Sequence, residues 1–239
     1  MLISHRKEFI FTKTQKTAGT SIESYFERYC MFDGEWEEAH FRDTYSSDAG
    51  IIGYRGFDRG ESKWFNHMSA EAIRDLIGQQ IWDRYFKFTV IRNPFDKMIS
   101  GFSMLRFRNE NSTFVNGLKK QADRESSKGS HNEKKVEIDA FRKWVQSGGA
   151  FIDRATYIIK GEECLDFFVR FENLHEDLML VCKRLDIRYE PKRLPQFKKG
   201  YRYQDIPIAE FYDKATIDII TEKFAWELER FGYTLPKIN

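Results

Sequence analysis

The chain has 239 residues, 41% of them hydrophobic and 16% aromatic, which suits one α/β domain with a packed core over residues 1–239. A net charge of +2 excludes a strong overall attraction to nucleic acid, and no nucleic-acid partner is expected. Cys30, Cys164 and Cys182 are odd in number, far apart and without metal-ligand spacing. They read as reduced core thiols in a cytoplasmic protein, and the lack of a signal peptide or long apolar span predicts a soluble chain with no membrane span.

Residues 8 to 21 open the pattern. Phe9 to Thr12 is apolar and predicts a strand, and Ile22 to Tyr29 has the apolar spacing of a helix. Between them lies Gln15-Lys16-Thr17-Ala18-Gly19-Thr20-Ser21, small and rich in hydroxyls. A strand, a tight turn and a helix start form an anion cradle, because first-turn N–H groups point into the turn. Gly19 lets backbone approach a ligand closely. The alternative is an ordinary helix capped by Thr17, Thr20 or Ser21. Lys16 precedes the glycine, so the run departs from the G-x-x-x-x-G-K-S/T loop of ATPases and GTPases.

Residues 31 to 62 lack periodicity and read as a long irregular loop. Its Trp36, His40, Phe41, Arg42, Tyr45, Tyr54, Arg55 and Arg59 are candidates to line a sugar or anionic acceptor, or simply pack on the surface. A helix is predicted from an N-cap at Ser69 to Ile77, ended by Gly78. His67 stands just before it. Tyr85 to Ile91 predicts a strand that delivers Arg92-Asn93-Pro94, with proline opening a helix. Ser100 follows two turns later. Arg92 has the planar fork that grips phosphate, or it pairs with Asp96. Residues 109 to 135 read as a mobile polar insertion. Ile138 to Val145 predicts a short helix, Asp166 to Phe171 a strand, Leu174 to Leu185 a helix and Ala215 to Phe231 one last helix. Arg170 lies at the end of that third strand, and Glu172 between it and its helix. They pair with each other or touch substrate.

Two of these runs carry a family resemblance. Gln-Lys-Thr-Ala-Gly-Thr-Ser resembles the 5′-phosphosulfate loop of sulfotransferases that use 3′-phosphoadenosine 5′-phosphosulfate (PAPS), in the carbohydrate-type branch, with Gln15 where proline usually stands. Arg92-Asn-Pro-Phe-Asp-Lys-x-x-Ser100 resembles the 3′-phosphate motif of the same enzymes. The resemblance implies a three-layer, P-loop-like α/β fold around a central parallel sheet. It implies PAPS as co-substrate and a carbohydrate or other hydroxyl acceptor. Lys16, Thr17, Ala18, Gly19, Thr20 and Ser21 would hold the 5′ side, and Arg92 and Ser100 the 3′-phosphate. Lys199, Gly200 and Tyr201 would close over the nucleotide. Lys16 and His67 would be catalytic, with His67 as base. No metal is required, since Lys16 and the backbone nest carry the charge. A kinase-like phosphotransferase and a non-catalytic nucleotide- or carbohydrate-binding protein remain the alternatives.

Overall fold

The structure, a computed structural model, describes residues 1–56, 58–110, 131–197 and 206–235. Most of the polar 109–135 run, and all of Lys199, Gly200 and Tyr201, lie outside the described residues. Contacts separate the chain into two units, Met1–Ile91 with Asp153–Phe197, and Arg92–Ile152 with Lys198–Asn239. In chain order the first unit holds β1 (Leu2–Ser4), β2 (Phe9–Phe11), α1 (Gly19–Phe26), β3 (Tyr45–Ser47), β4 (Gly50–Ile52), α2 (Ala70–Ile77), α3 (Gln79–Arg84) and β5 (Phe86–Ile91). The chain then forms α4 (Pro94–Glu110) and α5 (His131–Gln146) of the second unit. It returns as β6 (Ile158–Ile159), β7 (Glu162–Glu163), β8 (Phe167–Arg170) and α6 (Leu174–Arg184). Helices α7 (Ile208–Phe211), α8 (Lys214–Lys223) and α9 (Ala225–Phe231) complete the second unit.

The first unit is built on a six-stranded sheet in the order β3-β4-β1-β2-β5-β8. Strands β2, β5 and β8 are parallel, as the α/β reading requires. Strands β1, β4 and β3 continue the sheet antiparallel. Only four residues separate β1 from β2, a length that permits a hairpin and not a parallel crossover.

Period-two alternation divides the sheet's residues between two cores. Phe9, Phe11, Phe88, Val90 and Val169 pack with Ile22 and Phe26 of α1 and with Leu178 and Val181 of α6. Ile3, Ile10 and Ile51 point the other way, onto Ile73 of α2 and Trp82 of α3. The result is a three-layer unit. Phe9, Phe11, Phe26 and Phe88 are fully buried, and their ring centroids lie 5.1–5.9 Å apart. Each such ring contributes roughly 1.5–3 kcal/mol through burial.

The 31–62 stretch is not wholly irregular, since it supplies β3 and β4. Three residues per strand are too few to show alternation in sequence. The start of α2 is as expected: Ser69 Oγ accepts from the Ala72 N–H at 3.2 Å, and Gly78 ends the helix at φ 86°.

The second unit is helical. Asn93 Oδ1 accepts from the Phe95 N–H at 3.1 Å and caps α4, with Pro94 in its first turn. Phe95, Phe102, Phe141, Phe211, Tyr212 and Phe224 share its core. Gly101 leaves room for Phe151, whose ring would lie 2.6 Å from a Cβ there. The final helix is two, because Phe224 leaves helical geometry at φ −110°, ψ 23°. No proline or glycine marks this break; burial of the Phe224 ring outweighs local helix propensity. Asp213 and Thr216 form a capping box at α8.

Gly50 is the tightest point of the sheet. A Cβ there would sit 2.3 Å from the Ile3 carbonyl oxygen and 2.9 Å from Cys30 Cα, both backbone. Gly50→Ala is expected to cost about 2–3 kcal/mol, read as a lower urea midpoint. An unchanged midpoint would show that the β1–β4 pairing shifts freely.

Candidate active site

The loop after β2 grows out of the parallel centre of the sheet. The Thr12 N–H donates to Phe88 O at 3.1 Å, and Thr89 Oγ1 donates to Thr12 O at 2.8 Å. Thr14 Oγ1 then donates to Val90 O, so the loop stays anchored at the C-terminal end of β5. Thr14 and Thr17 hydroxyls meet at 2.7 Å. The Gln15 N–H donates to Asp153 Oδ2 at 2.5 Å. Lys16 and Ala18 lie in the left-handed region, with φ 62° and 60°, a conformation non-glycine residues rarely adopt.

Helix α1 begins at Gly19, with Ala18 as N-cap and no side-chain cap hydrogen bond. The capped-helix alternative through Thr17, Thr20 or Ser21 is therefore not how the helix starts. An uncapped first turn directs N–H groups and the positive end of the helix dipole into the loop. Ser21 Oγ accepts from the Phe197 N–H at 3.3 Å. The close approach at Gly19 is made by Lys13, whose Cγ would lie 2.9 Å from a Cβ on that glycine.

Behind the loop is a buried ionic cluster. Lys13, Glu23, Glu27 and Arg55 are all buried. Lys13 Nζ and the Met1 amino group pair with opposite oxygens of Glu23. Arg55 Nη1 lies 3.1 Å from Glu23 Oε2 and also pairs with Glu27. Arg55 donates from Nε to His40 O at 2.7 Å and from Nη2 to Ala39 O at 2.8 Å. Arg42 joins Glu27 at 3.1 Å. Burial alone would raise the Glu23 pKa, but Lys13, the amino terminus and Arg55 hold it well below its ordinary 4.5. Burial pulls the Lys13 pKa down despite Glu23.

His67 touches this assembly. Its Nδ1 lies 2.9 Å from Lys13 O. A carbonyl only accepts, so Nδ1 carries the proton and Nε2 keeps the lone pair. His67 is itself left-handed, at φ 61°. Burial, then the Lys13 charge, pushes its pKa down to about 4. The residue keeps an exposed edge although protein packs round the ring. Solvent softens the shift, and its direction leaves the imidazole neutral at neutral pH.

The loop residues Lys16, Thr17, Ala18, Gly19, Thr20 and Ser21 and the base candidate His67 thus gather around Lys13. Arg92 and Ser100 belong to the second unit, Arg92 just before α4 and Ser100 within it. Arg92 Nε donates to Asp96 Oδ2 at 2.7 Å, with Nη2 at 2.6 Å from the same oxygen. Arg170 pairs with Asp177 of α6 at 3.2 Å. Of the aromatic-basic loop, Arg42 and Arg55 serve the buried cluster rather than a solvent-facing groove. Trp36 lies under the Arg28 guanidinium at 4.3 Å, and Arg59 covers Phe65 at 3.9 Å.

Lys13, Glu23, Glu27 and Asp153 were not singled out from sequence, and Arg55 was named there only as a candidate to line an acceptor or pack on the surface. The available signal was the i, i+4 pair Glu23 and Glu27 on a helix that opens on a sheet, close behind a lysine. Among the described residues no group of three His, Cys, Asp or Glu side chains stands together as a metal site. No helix among them is long and apolar enough to cross a membrane.

A strand–turn–helix loop whose helix starts without a side-chain cap, at the C-terminal end of parallel strands, has the geometry of the turns at which α/β proteins bind anions. The model of the sulfotransferase family matches residues 1–234, and the chain belongs to that family. No curated protein and no solved structure matches it significantly.

Glu23→Gln is expected to cost about 3–5 kcal/mol, since it leaves Lys13 and Arg55 buried with one carboxylate fewer. Because the folded pKa is depressed, the Glu23 contribution is complete above its ordinary 4.5 and is lost as pH falls below that value. The stability gap between the native chain and the variant, from urea unfolding, should narrow from pH 6 toward pH 3 (about three units of titration). A gap constant over that range would deny the ionised carboxylate its role.

Proposed function

We propose that this sulfotransferase moves a sulfuryl group from PAPS to a hydroxyl of a carbohydrate or glycoconjugate. The observation that carries the reading is the uncapped, left-handed loop at α1 with a neutral imidazole beside it, bonded to Lys13 O. PAPS supplies an activated sulfuryl group on a phosphate leaving group. Lys16 and the N–H groups of Thr17 to Thr20 receive the negative charge that builds on that phosphate. Thr17, whose hydroxyl is taken up by Thr14, contributes its backbone. Ser21 accepts from Phe197 and so keeps its own hydroxyl proton to donate.

In the transfer, the acceptor oxygen forms a bond to sulfur while the bond from sulfur to the bridging phosphate oxygen breaks. The electron pair leaves on that phosphate, and the acceptor's proton passes to His67 Nε2. Arg92 and Ser100 hold the 3′-phosphate, with Asp96 orienting the guanidinium. The family match runs through both units and supports reading them as one sulfotransferase domain. Lys199, Gly200 and Tyr201 are proposed to close over the nucleotide from the chain that Phe197 leads into. The three free cysteines support a reducing, cytoplasmic setting.

A labelled-sulfate transfer assay from PAPS across a panel of glycans tests the reading. Lys16→Ala is expected to lower turnover by about 10²–10³-fold; ordinary turnover would remove Lys16 from the chemistry. His67→Ala is expected to spare nucleotide binding and slow transfer by about 10²–10⁴-fold. Calorimetry with Arg92→Ala should show weaker binding of 3′-phosphoadenosine 5′-phosphate and unaltered binding of 5′-AMP; equal losses would contradict a 3′-phosphate role.

A further inference from the structure

We propose that Lys13 is a positioning residue for the His67 base: its carbonyl fixes which ring nitrogen faces the acceptor, and its ammonium, clamped by Glu23, fixes that carbonyl. The inference rests on the reading of His67 as base. Its grounds are geometric. Lys13 is buried, and three parts of it are engaged at once. Its carbonyl oxygen takes the His67 Nδ1 proton at 2.9 Å. Its stem lies against Gly19, where a Cβ would meet Cγ at 2.9 Å and Cε at 3.1 Å. Its ammonium pairs with Glu23 on α1, one turn beyond that glycine. The phosphate loop's first helical residue and the base are therefore referred to one residue, the first through its side chain and the second through its backbone carbonyl.

The charge matters as well as the shape. The charged groups acting on the imidazole are Lys13, Glu23 and the Met1 amino group, with Lys13 disfavouring the imidazolium and Glu23 favouring it. A cation so placed keeps the imidazole ready to accept a proton. Lys13→Met keeps much of the stem and removes the charge. It frees the ammonium's hold on Glu23 and lets the carbonyl segment relax. The double variant Lys13→Met with Glu23→Gln removes both partners, so that less uncompensated charge stays buried.

The experiment is a histidine-selective nitrogen NMR titration, with the His67 signals assigned by their absence in His67→Gln, alongside pH–rate profiles. In the unaltered protein His67 is expected as the Nδ1–H tautomer, with a pKa below its ordinary 6.5. In Lys13→Met the His67 pKa should rise toward 6.5; in the double variant, used if the single one does not fold, loss of Glu23 offsets that rise, and loss of the fixed Nδ1–H tautomer is read instead. The acidic limb of the Lys13→Met rate profile should move up with its His67 pKa, and kcat should fall by about 10-fold or more with little change in KM for PAPS. An Nε2–H tautomer in the unaltered protein, an unmoved His67 pKa in folded Lys13→Met, or an unchanged tautomer in the double variant overturns the proposal. The tautomer needs no variant, so failure to fold leaves that test in place. If the unaltered protein transfers no sulfuryl group, the function reading fails while the NMR titration still decides what Lys13 does to His67.

Discussion

A carboxylate buried at the centre of α1 organises the first unit. Glu23 has no access to solvent, and an ionised carboxylate in that position must be paired. Each partner it takes brings a segment with it. Lys13 brings the loop between β2 and α1, and Arg55 brings the chain around Ala39 and His40 through its carbonyl bonds. Removing charges from water costs several kcal/mol per ion, so such a cluster adds little net stability against an apolar core of the same volume. What it supplies is position: three segments distant in sequence are held to one helix.

That positioning matters because the loop is strained. Lys16, Ala18 and His67 all occupy left-handed backbone, at a cost of about 1–3 kcal/mol each. Such residues persist only where their surroundings over-determine them. Here the surroundings are identifiable. Thr14 fastens the loop to Val90, Asp153 takes the Gln15 N–H, and Lys13 lies against Gly19. The parallel neighbours β2 and β5 supply the edge on which this is built.

The strands and helices nearest the chemistry were legible because they repeat. Phe9 to Thr12 and Tyr85 to Ile91 have strand composition, Ser69 and Gly78 bracket α2, and Pro94 opens α4. The motif at 15–21 was legible because lysine, glycine and hydroxyls crowd a single turn. The β3–β4 pair was hidden by its shortness. The break at Phe224 was hidden because burial, and no turn residue, makes it. The buried cluster was hidden for another reason. Lys13, Arg42 and Arg55 look like ordinary surface cations until Glu23 and Glu27 are placed, and only the folded sheet places them. Arg42 and Arg55 were read as lining an acceptor or packing on the surface, whereas their charge is consumed internally.

Two lysines three residues apart thus have opposite fates, and the difference follows from their backbone. Lys13 still runs out of β2, so its side chain turns under α1 and meets Glu23. Lys16 lies past the turn, in left-handed backbone beside the uncapped helix start, and is only half-buried. The first charge is neutralised on the protein's own carboxylate and acts on His67 through a carbonyl and through space. The second belongs to the loop that the proposed function assigns to the donor's phosphate. Exchanging the two roles would require Gly19 to accept a side chain, because the Lys13 stem occupies the space a Cβ there would need. Gly19 therefore makes room for the internal charge at the residue where α1 begins.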